Sequence, residues 1–228
     1  MAAATLSGRR DAGGGLVLVA LDVDRESADG YTTPGQYVEV TAPGASGFFV
    51  LAGEPTAGSA AHTWELLVRN AGDAADLLVT RPLGSTVEVT HPIGTGLPGP
   101  LAEEAPVIVA VVGSALGLAR PVMRLRVGAG HASSTELFIG LRAAVDLPLR
   151  DEVSAWADAG VRIVLCLSRA ELEHHLDVVP RAERAAGYVQ HAVARLGRSP
   201  IRIIAAGPDA MLAELRALSG ADVVTNRG

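Results

Sequence analysis

Apolar residues recur with two different periods along this chain, and the change comes near residue 100. Before it, short apolar or alternating runs are separated by turn clusters. Leu16–Val23, Gln36–Thr41, Phe48–Leu51, Thr63–Arg69 and Thr86–Thr90 read as strands, divided by Thr33-Pro34-Gly35, Ala42-Pro43-Gly44 and the stretch Gly53–Ser59. One short helix is expected at Asp73–Val79, with Leu77 and Leu78 inward. Strands at this spacing predict an antiparallel barrel. Residues 1–15 lack an apolar stretch and are expected to be a flexible N-terminal segment. Gly94–Ala105, rich in Gly and Pro and then acidic, reads as a linker.

After the linker, strands alternate with helices. Val107–Val112 is a continuous apolar run, followed by a helical stretch to about Val127. Strands are expected at Glu136–Leu141, Val161–Leu167 and Ile201–Ala205, and helices at Asp151–Ala159, Gly187–Leu196 and Pro208–Leu218. This alternation predicts a doubly wound parallel sheet. The predicted organisation is therefore residues 1–15 as a tail, 16–100 as a barrel and 101–228 as an α/β domain.

Composition narrows the function. With 228 residues, 49% of them hydrophobic and 19% charged, the chain can bury a core without disulfide staples. The net charge of -6 opposes a nucleic-acid partner held through phosphates. All 19 positive residues are Arg, so Schiff-base and P-loop lysine chemistry are excluded. The single cysteine, Cys166, excludes an internal disulfide and a cysteine-held zinc or iron–sulfur centre, and suits a reducing compartment. The longest apolar run, Pro106–Ala119, is too short and interrupted to span a bilayer, and no secretory h-region opens the sequence. A cytoplasmic protein is expected.

Ligands of open parallel sheets bind at the carboxyl ends of the strands. Three predicted strand ends carry suggestive residues. Gly113-Ser114 follows a buried strand and leads into a helix, where bare backbone N–H groups can meet a diphosphate; such a turn is more often structural. Ser168-Arg169 offers a hydroxyl and a forked guanidinium to a phosphate monoester, with Tyr188 and Gln190 downstream at a helix start, where Tyr188 can stack on adenine. The alternative there is a solvated loop arginine and a packed tyrosine. Gly207-Pro208, with Met211 a turn later, ends the last of these strands and also serves as simple helix initiation. His62, His91, His131 and His191 show no metal-ligand spacing, His174-His175 lie in a polar stretch expected to be exposed, and no nucleophile elbow is present.

Taken in order, Pro34-Gly35-Gln36-Tyr37, Glu65 to Gly72, Val87-Glu88-Val89 with Pro92-Ile93-Gly94, the Gly113 turn, Gly140-Leu141-Arg142 and Ala206-Gly207-Pro208 with Met211 resemble the ferredoxin–NADP reductase family of flavin oxidoreductases, from about Leu16 to Asn226. The resemblance implies a six-stranded antiparallel barrel that binds FAD, followed by a parallel α/β domain that binds NAD(P)H. Hydride would pass from nicotinamide to flavin, and electrons onward to an acceptor, a separate protein among the candidates. The family's Arg-x-Tyr-Ser signature falls on Gly47 to Val50 here. Its arginine has become Gly47, its ring falls on Phe49, and its serine has become Val50, with Leu51 following. Its Gly-x-x-Ser signature reads Gly72-Asp73-Ala74-Ala75, where Asp73 opposes a phosphate and Arg69 offsets it. The family's cysteine before Gly-Pro is Ala206, and the chain ends in Thr225-Asn226-Arg227-Gly228 without the terminal aromatic. Ser168, Arg169 and Tyr188 match the family's site for the 2′-phosphate, which implies NADP(H) over NAD(H). The same departures imply an alternative: a family member that has lost flavin and serves as a non-catalytic binding or regulatory subunit.

Overall fold

The computed structural model describes residues 1–69, 71–99, 101–169, 178–197, 202–218, 220 and 222–226, and they form two compact units. One comprises Met1–Pro98 with Asn226–Gly228, the other Gly99–Thr225.

The first unit is an antiparallel sheet of strands β1 (Ala2–Gly13), β2 (Leu16–Asp22), β3 (Tyr37–Ala42), β4 (Ala45–Val50), β5 (Thr63–Arg69) and β6 (Thr86–Val89), in the order β4-β3-β6-β1-β2-β5. Its two edges meet. Leu51, just past β4, bridges Leu66 of β5, and the Ala52 N–H donates to the Glu65 carbonyl at 2.7 Å. The sheet is thereby closed into a barrel, which removes its free edges. Two helices belong to this unit, α1 (Arg25–Gly30) and α2 (Asp73–Thr80). Helix α2 contributes Ala75 and Leu78 to the barrel core, beside Leu6, Leu21, Val38, Trp64 and Leu66. The Trp64 indole N–H is buried there without an acceptor.

The N-terminal segment differs from the sequence expectation. Residues 2–13 are not a flexible tail but β1, the strand between β6 and β2. Its run of Ala, Gly and Arg hides the pattern, because Ala4, Leu6 and Ala12 suffice to line the buried side. Arg9 also secures the end of α2. Its guanidinium donates to the Val79 carbonyl and, at 2.6 Å, to the Arg81 carbonyl, groups that a helix C-terminus leaves without internal partners.

The second unit is a parallel sheet: β7 (Val107–Val112), β8 (Thr135–Leu141), β9 (Arg162–Leu167), β10 (Glu183–Ala186), β11 (Arg202–Ala206) and β12 (Asp222–Val224), in the order β10-β9-β8-β7-β11-β12. Among the described residues its α-helices are α3 (Leu116–Gly128), α4 (Arg150–Asp158), α5 (Val189–Ala194) and α6 (Asp209–Arg216). The chain runs outward from β7 on one side and then restarts beside β7 with β11, so the strand order reverses at β7. Trp156 of α4 is 5% exposed and is this unit's indole. Strand β10 carries no apolar alternation. It is held at the edge by Arg162 of β9, whose guanidinium forks onto Glu183 at 2.7 and 2.6 Å and also reaches Glu136 of β8 at 2.6 Å. The Arg162 hydrogen bonds keep the Glu183 carboxyl below its ordinary range.

A buried guanidinium fixes the entry to this sheet. Arg126, fully buried in α3, donates to the carbonyls of Leu101 and Glu103 at 3.0 Å, of Ala105 at 2.9 Å, and to the Thr135 hydroxyl at 2.6 Å. Burial pulls its pKa down, and among the described residues its partners are neutral oxygens rather than a carboxylate. No described helix is long and apolar enough to cross a membrane.

Replacing Arg126 with Leu strands several buried acceptors at once. A loss of about 3 kcal/mol is expected, read as a lower urea midpoint, with Arg126→Lys recovering only part because an ammonium has three donors. Burial of Cys166 in β9 pushes its thiol up to about 12. The unfolded thiol ionises near pH 8.5 while the folded one stays neutral, so this group's contribution is full below that pH and is lost as pH rises above it. A thiol reagent at pH 8 is therefore expected to label Cys166 only at the rate of unfolding.

Candidate functional site

At the reversal point of the parallel sheet, three strand ends carry little beyond backbone. Gly113 turns the chain with φ 58 into a short 3-10 turn over Gly113–Ala115, and α3 follows with no side chain capping either start. Ser114 is exposed on that turn. At the end of β8, a Cβ on Gly140 would lie 2.9 Å from both Val112 Cγ2 and Val189 Cγ2. At the end of β11, a Cβ on Gly207 would lie 2.7 Å from Met211 Cε and 3.4 Å from Val112 Cγ2. Val112 thus sits between two glycines, and Val189 and Met211 close over them. Met211 is 3% exposed and acts here as packing on Gly207. Pro208, with ψ 146, precedes α6. Arg120 of α3 lies away from this edge: its Nε donates to Glu152 of α4 at 2.7 Å with the side chain 2% exposed.

The polar part of the edge lies on β8, β9 and the start of α5. Pairing continues past the strands, since Ser168 N–H donates to Leu141 O at 3.0 Å and Arg169 N–H to Arg142 O at 2.9 Å. Arg142 and Arg169 therefore stand on adjacent chain segments, with Ser168 between them in sequence order along the edge. Ser168 Oγ rests on Leu141 O at 3.3 Å. Arg142 has an ion pair with Asp146 at 3.4 Å, both partly solvated. Gly187 N–H donates to Leu167 O at 2.8 Å, which brings Tyr188 to the same end. Tyr188 is 58% exposed, edge-on to the His191 ring at 5.8 Å. Gln190 faces elsewhere: its amide donates to Glu214 of α6 at 3.3 Å, and His191 Nε2 meets the other oxygen of Glu214 at 3.2 Å. The structure thus gathers Gly113, Ser114, Ser168, Arg169, Tyr188, Gly207 and Pro208 along one sheet edge and turns Gln190 and Met211 into helix packing. Sequence reasoning had not given Arg142 a role; its signal was a cation directly after a predicted strand. His174 and His175 lie outside the described residues.

In the barrel, register decides which β4 side chains are available. Val38 pairs with Phe49 and Val40 with Gly47, and paired residues share a face. Val38 and Val40 are buried, so Phe49 and Gly47 point inward, and Phe49 packs on the core. Phe49 is half-buried, and the outward ring is Phe48, 65% exposed, paired with Glu39. Val50 shares the outer face opposite Tyr37. Leu51 is 0% exposed in the barrel closure, and Ala75 is 8% exposed in the core. Ala74 lies against Gly47, where a Cβ would be 3.0 Å from Ala74 Cβ and 3.3 Å from the Phe49 ring. Gly72 holds φ 103 before α2, where glycine is favoured, and open space surrounds it. Arg69 is exposed at the end of β5. Among the described residues no cluster of His, Cys, Asp and Glu could hold a metal ion.

No protein-family model matches this sequence, and no curated protein matches it. Solved structures do match its fold. A cytochrome P450 reductase from Amycolatopsis, GcoB, superposes with TM-score 0.75 at 23% identity over 97% of this chain and 68% of its own. The ferredoxin reductase in carbazole 1,9a-dioxygenase gives 0.74 at 19% over 99% and 68%. A ferredoxin NADP+ reductase from Neisseria gonorrhoeae, with bound FAD and NADP, gives 0.70 at 12% over 98% of each chain. The chain has the two-unit fold of ferredoxin-reductase-type flavin oxidoreductases.

Among the solved structures of this fold, the Neisseria gonorrhoeae reductase is described with bound FAD. The Phe48 and Tyr37 face suits a flat ring system. The segment matching the family's diphosphate signature has the open Gly72 turn, the uncapped start of α2 and Arg69; β4 carries no arginine, and a Cβ at Gly47 would lie 3.0 Å from Ala74 Cβ and 3.3 Å from the Phe49 ring, tighter than ordinary contact. The two rings should behave differently on truncation. Phe49→Ala is expected to cost about 2 kcal/mol of stability, and Phe48→Ala less than about 0.5, measured as urea unfolding midpoints.

Proposed function

We propose that this chain is an NAD(P)H-dependent flavin oxidoreductase of the ferredoxin-reductase type. The parallel-sheet unit takes the nicotinamide nucleotide, the barrel takes the flavin, and electrons leave to a separate acceptor, a protein or a small molecule. The observation that carries this reading is the edge formed by Arg142, Ser168, Arg169 and Tyr188 beside the bare turn at Gly113. It offers guanidinium and hydroxyl donors to a phosphate, an exposed ring to an adenine, and uncapped backbone to a diphosphate. A flavin supplies the chemistry by accepting a hydride from nicotinamide; the side chains here orient and screen, so no acid–base residue is required.

Among the described residues, the ends of β8 and β9 carry the guanidiniums of Arg142 and Arg169 with Asp146 beside Arg142, which supports taking the additional 2′-phosphate of NADP(H) over NAD(H). A cytoplasmic setting accords with the buried free thiol of Cys166. The second reading, a non-catalytic binding subunit, is favoured by one observation: β4 carries no arginine, and a Cβ at Gly47 would lie 3.0 Å from Ala74 Cβ.

The visible spectrum of the purified protein with FAD, followed by NADPH, tests the first reading. A flavin spectrum that bleaches on NADPH is expected; failure of any flavin to bind would leave the non-catalytic reading. Arg169→Ala is expected to weaken NADPH binding by about tenfold or more while NADH changes less than about twofold. Equal losses for both nucleotides by calorimetry would overturn the NADP(H) assignment.

A further inference from the structure

Strands β3, β4 and β6 give the outer face of the barrel an aromatic pair and two carboxylates, and contribute no cation to it. Val38 and Val40 of β3 and Val87 and Val89 of β6 are buried, so the residues that alternate with them point away from the core. Glu39 and Glu88 are two of these. In register Glu39 lies opposite Phe48, and Glu88 lies opposite Thr41, the next outward residue of β3. The two carboxylates are therefore diagonal neighbours on adjacent strands. The three strands contain no arginine, and among the described residues neither carboxylate has an ion pair.

Phe48 is the member of this face that packing does not explain. It is 65% exposed, on a strand whose other ring, Phe49, packs on the core. Its ring meets the Tyr37 ring at 5.9 Å and 75°. Tyr37 is in turn backed by the chain at Gly94, where a Cβ would lie 3.1 Å from its Cε1. The Phe48 ring is thus supported and still open to solvent. An exposed ring directly across from an unpaired carboxylate is the combination that a guanidinium uses. Its plane stacks on the ring while its N–H groups fork onto the carboxylate. An ammonium gains the charge attraction without the planar stack.

Charge decides what covers the face. The barrel unit has eleven acidic side chains to six arginines over residues 1–98 and 226–228, so its field draws in a basic partner. Two copies of this chain meeting here about a two-fold axis would set Glu39 and Glu88 against the same carboxylates. A nucleic acid or an anionic membrane would bring phosphates to them. We propose that the outer face of β4-β3-β6 is a docking surface for a partner protein that presents an arginine-bearing segment. One guanidinium sits on Phe48 and Glu39, and a second cation of the same segment sits on Glu88. The surface shares no residue with the nucleotide edge, so it stands whether or not a flavin binds.

Calorimetric titration of the purified full chain at low salt, with an octapeptide of alternating Arg and Gly and with its Lys counterpart, tests this. The Arg peptide is expected to bind about threefold or more tighter than the Lys peptide. Glu39→Gln with Glu88→Gln is expected to weaken both by about fivefold or more. Phe48→Ala is expected to remove the preference for Arg and to leave the Lys peptide within about twofold. Phe48 is exposed and Gln matches Glu in size, so these variants fold. Glu103→Gln with Glu104→Gln removes the same charge from exposed positions of the other unit and is expected to change neither affinity by more than about twofold. Equal weakening by the two double variants, an Arg peptide that binds no tighter than the Lys peptide, or no binding by either would overturn the inference. So would a dimer in sedimentation that Phe48→Ala abolishes. Each of these results leaves the spectral test with FAD untouched.

Discussion

The parallel-sheet unit depends on a charge that has no counter-charge among the described residues. Arg126 spends its donors on neutral oxygens from two stretches of chain: the entering segment at Leu101–Ala105, and Ser134-Thr135 at the start of β8. Burial of a guanidinium is tolerated only when its N–H groups are satisfied in this way. Because the entering segment feeds β7 and Thr135 opens β8, the same side chain sets where the two central strands begin. Their carboxyl ends, at Gly113 and Gly140, are thereby set as well. The nucleotide edge is thus positioned from the opposite end of its own strands.

Most of the fold was legible because its strands are buried on a regular period. Val107–Val112 and Thr63–Arg69 have the same bounds in sequence pattern and structure. The elements that escaped are those whose burial is partial or carried by small residues. Strand β1 uses Ala and Gly where a reader looks for Val and Ile, and β10 is held by the Arg162 fork instead of by apolar contacts. Helix α1 is six residues long and is signalled mainly by Asp24, whose side chain accepts the Ser27 N–H; that bond lowers the Asp24 pKa.

The candidate site was legible in position but not in orientation. Glycines and prolines at strand ends mark the sheet edge correctly. Which neighbour of a glycine faces outward is a matter of register, and two adjacent phenylalanines give no pattern from which to read it. Only the pairing of Phe49 with the buried Val38 assigns Phe48 to the surface. Gln190 and Met211 fell to the same limit, since a helix start places polar and thioether groups near an edge while their rotamers are chosen by packing against α6 and Gly207.

The placement of the two tryptophans has an optical consequence. Trp64 lies in the barrel core with its N–H unpaired, and Trp156 lies in α4 of the parallel-sheet unit. Each unit therefore carries one indole of its own. With a conservative Phe at either position, the emission of the remaining indole reports the loosening of one unit alone.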